Sequence, residues 1–185
     1  MRCCYEGAKM IEKSEKCKHA LAFAAKKHEG QTRKLGEPYI THPVAVAEMM
    51  EERGFGEDYI IAGLFHDLLE DTDAKEEEIL ALGGEAVLSA VKLLTKEEGY
   101  DMPTYIAGIK SDPIARAVKA ADRIHNLFCA TVCSESFKLR YIKESIDYYL
   151  DFDPEVAAMT KRLFDTLEDP ESVPEDYLKR LNGCN

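Results

Sequence analysis

The decapeptide LFHDLLEDTD, residues 64–73, holds one histidine and four acids among apolar residues. Leu64, Phe65, Leu68 and Leu69 have the spacing of a buried helix side, with His66, Asp67, Glu70 and Asp71 between them. On a helix, residues three and four apart share a face. His66 would then lie one turn from Glu70, and Asp67 one turn from both Glu70 and Asp71. Carboxylates this close repel one another unless a cation neutralises them, and an unpaired buried ion is costly. No Lys or Arg occurs between residues 54 and 74, so the stretch cannot supply that cation itself. A divalent metal is the economical answer, because mixed nitrogen and oxygen donors suit Mn²⁺, Fe²⁺ or Zn²⁺.

His66 and Asp67 give only two ligands. His42 stands at the N-terminal turn of the helix announced by THP, and Asp122 lies within KAADRIHN, an acid among small and apolar residues. Taken singly, each has a plain alternative. A histidine after a helix start suits the surface, and Asp122 could pair with Arg123 or Lys119. Together they make a His-(His-Asp)-Asp set on three helices, which leaves positions on an octahedral ion for water and substrate.

Helices must position that set, and helical punctuation recurs along the chain while alternating β-branched runs do not. A first helix is expected over 14–29, with Leu21, Ala22, Ala25 and His28 at helical spacing, followed by a polar loop over 29–40. Thr41 can cap the next helix, with Pro43 in its first turn and Gly54 as its stop. The acidic decapeptide lies on a helix expected over 57–70, after which Thr72 or Asp73 would cap a short helix through Leu82. Further helices are expected at 85–95, at one or two turns over 105–110, from Asp112-Pro113 onward, and at 136–151, 154–168 and 174–182. The expected architecture is a single all-α domain spanning 1–185, a bundle of about eight to ten helices. Its motif-bearing core would cover about 16–150, with C-terminal packing helices over 151–185.

With 45% hydrophobic and 32% charged residues, the chain can build a core. A net charge of −11 with no basic block disfavours a nucleic-acid polymer as partner. No stretch has the length of a membrane span, and the N-terminal MRCCYEGAKMIEK lacks a signal-peptide core. Cys3, Cys4, Cys17, Cys129, Cys133 and Cys184 form no paired framework, so reduced thiols in a cytoplasmic protein are expected.

HEGQTRKLGEPYITHPVAVAEMM, AGLFHDLLEDTD, LLTKEE and VKAADRIHNL occur in the order found in the hydrolase half of RelA/SpoT-type alarmone enzymes. The chain therefore resembles a branch of the HD-domain metal-dependent phosphohydrolases. The resemblance makes His42, His66, Asp67 and Asp122 metal ligands, with Mn²⁺ the usual ion. It makes Glu70 and Asp71 the acids that orient or deprotonate the attacking water, and Arg33, Lys34 and Asn126 substrate contacts. The activity it implies is removal of the 3′-diphosphate from (p)ppGpp, in one direction only, since only a hydrolase half is expected here.

The chain departs from the family pattern at Leu35, where a serine is usual, and at Leu127-Phe128-Cys129, where an arginine and a threonine are missing. These positions bear on the nucleotide rather than the metal. NADPH or another phosphorylated nucleotide is therefore an alternative substrate, and a metal- or nucleotide-sensing module without turnover is a second alternative. Lys96 and Lys138 are further candidates for phosphate charge.

Overall fold

Ser14, Asp101 and Asp153 each accept a side-chain hydrogen bond from an amide two or three residues ahead, and a helix begins after each. The computed structural model, which describes residue 11 and residues 14–183, is all-α. Its one β feature among the described residues is an isolated bridge between Thr32 and Pro38. Cys3, Cys4, Cys184 and most of the N-terminal stretch read for a signal peptide lie outside the described residues. Cys17, Cys129 and Cys133 are free thiols. No helix among the described residues is long and apolar enough to cross a membrane.

The chain divides into two compact units, Met1–Lys119 and Ala120–Asn185. The first contains α1 (Glu15–Lys27), α2 (Thr41–Glu52), α3 (Glu57–Phe65), α4 (Leu68–Asp71), α5 (Glu76–Gly83), α6 (Glu85–Leu94) and α7 (Met102–Ser111). The boundary falls within α8 (Pro113–Ala130). The second unit holds the rest of α8 with α9 (Glu135–Tyr148), α10 (Pro154–Phe164) and α11 (Glu175–Asn182).

In the first unit α3 is the hub, packed against α1, α2, α5 and α6. All six residues from Ile60 to Phe65 are buried, the pattern of a helix enclosed on every side. Gly63 allows α2 to approach closely. A Cβ there would sit 3.1 Å from the Ala47 Cα and 3.2 Å from the Ala47 nitrogen, both on the backbone of α2. In the second unit α9 packs against α10 and α11. There Arg123 is buried, with its Nε on Ser145 Oγ at 2.8 Å and its Nη2 on the Tyr141 carbonyl at 2.7 Å. Its guanidinium lies 4.7 Å from the centre of each of the Tyr141 and Tyr149 rings, so it serves the packing of this unit.

The helix expected over 57–70 is interrupted. α3 ends at Phe65, α4 starts at Leu68, and Asp67 adopts φ −101° and ψ −2°. The His66 ring bonds the Gly63 carbonyl one turn back, and a side chain entering the helical ladder is a recognised cause of such breaks. Other expectations shift locally. The buried face of α1 is Cys17, Ala20 and Ala24, continued by His28, whereas Ala22 is exposed. Thr41 opens α2 as its first residue, and its hydroxyl donates to the Pro38 carbonyl rather than accepting from the helix. Lys75 occupies the N-cap of α5, while Thr72 closes α4 and Asp73 pairs with Lys27 at 3.1 Å. The short helix expected over 105–110 extends over Met102–Ser111, because Asp101 caps it and Pro103 fits its first turn.

Candidate metal centre

The break after α3 turns His66 and Asp67 toward the start of α2. His66 Nδ1 lies 2.8 Å from the Gly63 carbonyl, which can only accept, so Nδ1 carries the hydrogen. In the neutral ring this leaves Nε2 as a bare lone pair, the form that binds a metal. That Nε2 faces His42 Nε2 at 3.2 Å. Asp67 Oδ2 lies 3.1 Å from the same His66 nitrogen and 3.7 Å from His42 Nε2. Both histidines are buried.

Two imidazole nitrogens and a carboxylate oxygen thus converge, all of them electron-pair donors once the rings are neutral. With metal–ligand bonds of about 2.1 Å, neighbouring donors on one ion lie roughly 3 Å apart, so this set fits a divalent cation. Gly63 serves the centre twice, by admitting α2 and by accepting from His66. We expect Gly63→Ala to cost about 1–3 kcal/mol by overpacking against Ala47. It should also weaken Mn²⁺ binding, which calorimetry and thermal melts of the same variant would measure. Unchanged stability and affinity would remove Gly63 from the positioning of this site.

Sequence reasoning missed Tyr39. Its hydroxyl lies 2.7 Å from Asp67 Oδ2 and 3.0 Å from Asp71 Oδ2. Burial, then the charge of Asp67 and the bonds to both acids, push the phenol far above its ordinary range, so it remains a donor. One hydroxyl carries one proton, and it spans two carboxylates here. Two spacings in the sequence pointed this way. Tyr39 precedes His42 by three residues, and Gly63, a costly residue inside a helix, precedes His66 by three.

The expected catalytic acids part company. Asp71 faces Tyr39, whereas Glu70 Oε2 accepts from the Lys96 backbone amide at 3.0 Å, tying α4 to the chain after α6. Arg33 and Lys34 begin a tight turn closed by the Gly36 amide on the Arg33 carbonyl at 2.9 Å, with Gly36 at φ 92°. Leu35, at its tip, is 61% exposed. In the second unit Asp122 is buried, and Asn126 donates its side-chain amide to Asp122 Oδ1. Asn126 thereby holds a carboxylate one helical turn behind it. Arg123 is committed elsewhere, and Lys138 is buried with its ammonium on the Thr166 carbonyl at 2.9 Å, which argues against a phosphate role.

A family model described as an HD domain matches residues 20–104. The chain carries an HD domain. That match contains His42, His66, Asp67, Glu70 and Asp71, and Asp122 lies beyond it. The chain is 37% identical over 144 residues to a guanosine-3′,5′-bis(diphosphate) 3′-pyrophosphohydrolase of Aquifex aeolicus, covering 74% of this chain and 21% of that protein. It is 36% identical over 146 residues to a GTP pyrophosphokinase of Myxococcus xanthus, covering 71% and 19% respectively. This HD-domain chain therefore spans about a fifth of the length of these curated relatives. A solved structure described as a metazoan ortholog of SpoT that hydrolyzes ppGpp superposes with a TM-score of 0.68 at 25% identity. That match covers 82% of this chain and 95% of the other. HD hydrolases depend on divalent metal, in keeping with the His42, His66 and Asp67 donors gathered from α2 and the α3–α4 break.

Proposed function

We propose that the chain is a divalent-metal-dependent hydrolase that removes the 3′-diphosphate of (p)ppGpp-like nucleotides, with Mn²⁺ as its ion. The observation that carries this reading is the convergence of His42 Nε2, His66 Nε2 and Asp67 Oδ2 at 3.1 to 3.7 Å inside an HD domain. Its relatives include proteins named for that reaction. Asp122, a buried carboxylate held by Asn126, is proposed as the remaining protein ligand. The free thiols of Cys17, Cys129 and Cys133 suit a cytoplasmic setting.

When bound, the ion supplies positive charge for the phosphoryl oxygens and eases ionisation of water. The chain's own groups do the rest. Glu70 or Asp71 accepts the proton that the attacking water gives up as its oxygen bonds the phosphorus. The bond from that phosphorus to the 3′-oxygen breaks, and the 3′-oxygen leaves as a hydroxyl after taking up a proton. Tyr39 keeps Asp67 and Asp71 in register during this exchange. Arg33 and Lys34 offer cationic and amide groups to the nucleotide's remaining phosphates.

A second reading keeps the chemistry and changes the nucleotide. Leu35 puts an exposed apolar side chain directly after Arg33 and Lys34, which suits a substrate other than guanosine, such as NADPH. A release assay with Mn²⁺ over ppGpp, pppGpp, NADPH and common nucleotides separates the two. Pyrophosphate from ppGpp is expected. Single phosphate from NADPH with ppGpp untouched would favour the second reading, and no release from any of them would leave a binding module.

A further inference from the structure

His28 ends α1 as its C-cap and is buried to 2% exposure, though no step of the proposed reaction uses it. Its hydrogen bonding can be worked out from its neighbours. Gln31 Nε2 donates to the Asp71 backbone carbonyl at 2.7 Å, so the amide NH₂ faces α4 and the amide oxygen faces His28. His28 Nδ1 lies 2.7 Å from that oxygen and must therefore carry the ring hydrogen. Nε2 is left as a lone pair, and it is buried without a hydrogen-bond partner among the described residues. A buried acceptor left unmatched works against stability, so stability alone does not account for a histidine here.

The rest of its surroundings converges on the metal centre. The His28 ring packs on Tyr39, with centroids 4.8 Å apart and planes 33° apart. The Tyr39 amide donates to the Gln31 carbonyl at 2.9 Å, so Gln31 and Tyr39 are fixed to each other. Gln31 then holds the backbone of Asp71, and the Tyr39 hydroxyl holds the side chains of Asp67 and Asp71. Both grips on the α3–α4 break thus lead back to one imidazole.

We propose that His28 is a positioning residue for Asp67 and Asp71, acting through its Nδ1–H bond to Gln31 and its ring contact with Tyr39. Histidine suits the task because it combines a flat face with a donor at its edge. This inference rests on Asp67 as a metal ligand, not on the identity of the nucleotide.

The test compares wild type, His28→Phe and His28→Asn by Mn²⁺ titration calorimetry, thermal melting without metal, and the ¹³Cζ signal of labelled Tyr39. Phe keeps the flat face and removes the donor, while Asn places an amide donor close to the position of Nδ1. His28→Phe should weaken Mn²⁺ binding about tenfold, the scale found for groups that orient metal ligands. It should shift the Tyr39 signal and leave the melting temperature equal or higher, because the unmatched nitrogen is gone. His28→Asn should recover most of the Mn²⁺ affinity. Wild-type Mn²⁺ affinity in His28→Phe would overturn the proposal. So would a loss of affinity that accompanies a lower melting temperature and is not recovered by Asn, which is the behaviour of a packing residue. If Mn²⁺ affinity follows His28 as expected while no nucleotide is cleaved, the substrate reading fails and the positioning role stands.

Discussion

Asp67→Ala is expected to abolish divalent-ion binding and hydrolysis together, with the rate falling by roughly three orders of magnitude or more. Asp67 brings a carboxylate oxygen within 4 Å of both His66 Nε2 and His42 Nε2, at 3.1 and 3.7 Å. Without it, the first unit offers the ion two neutral rings and no compensating charge. The same substitution takes from Tyr39 the nearer of its two acceptors, which leaves Asp71 alone on the hydroxyl. Folding without metal should survive, because a carboxylate crowded against Asp71 is removed rather than a packing group. Titration calorimetry with Mn²⁺ and a release assay on the same preparation check both halves. A variant that still binds one equivalent of Mn²⁺ at wild-type affinity sinks the assignment of Asp67 as a ligand.

Glu70→Gln should behave in the opposite way toward the metal. Glu70 Oε2 accepts from the Lys96 amide, and a glutamine oxygen can accept that bond equally well, so α4 should keep its place. What disappears is the charge and the ability to take a proton. Loss of a general base lowers rates by about 10²–10⁴. The expected result is unaltered Mn²⁺ affinity and melting temperature with a rate lower by that factor. A near-wild-type rate would pass the proton-accepting role to Asp71, whose side chain already faces Tyr39 and through it Asp67.

Much of the arrangement around His66 was legible in the sequence, and the reasons are physical. His66 and Asp67 stood out because charge inside an apolar run demands a partner, and His42 because a histidine stands at the N-terminal turn of the preceding helix. Helix starts at Asp112 and Asp153 followed from capping and proline chemistry, which act within a few residues. The break between Phe65 and Leu68 was hidden, since its cause is a ring-to-carbonyl bond that competes with the helix and leaves the apolar pattern intact. Tyr39 and Gln31 reach α4 and the acid before it across 28 to 40 residues of sequence, so the spacing of Tyr39 to His42 hints at the first and nothing local reveals the second. His28 was hidden because its role passes through those two residues. Lys138 shows the converse error, because a lysine suited by type to phosphate is taken up by a carbonyl 28 residues away.

The central claim is that the ring nitrogens of His42 and His66 and the carboxylate of Asp67 hold one ion. Anomalous diffraction from crystals of the protein grown with Mn²⁺ addresses it without reference to any substrate. One strong anomalous peak is expected within about 2.0–2.3 Å of His42 Nε2, His66 Nε2 and an Asp67 oxygen. A peak seated elsewhere, or none at this position with the protein saturated in Mn²⁺, would contradict it.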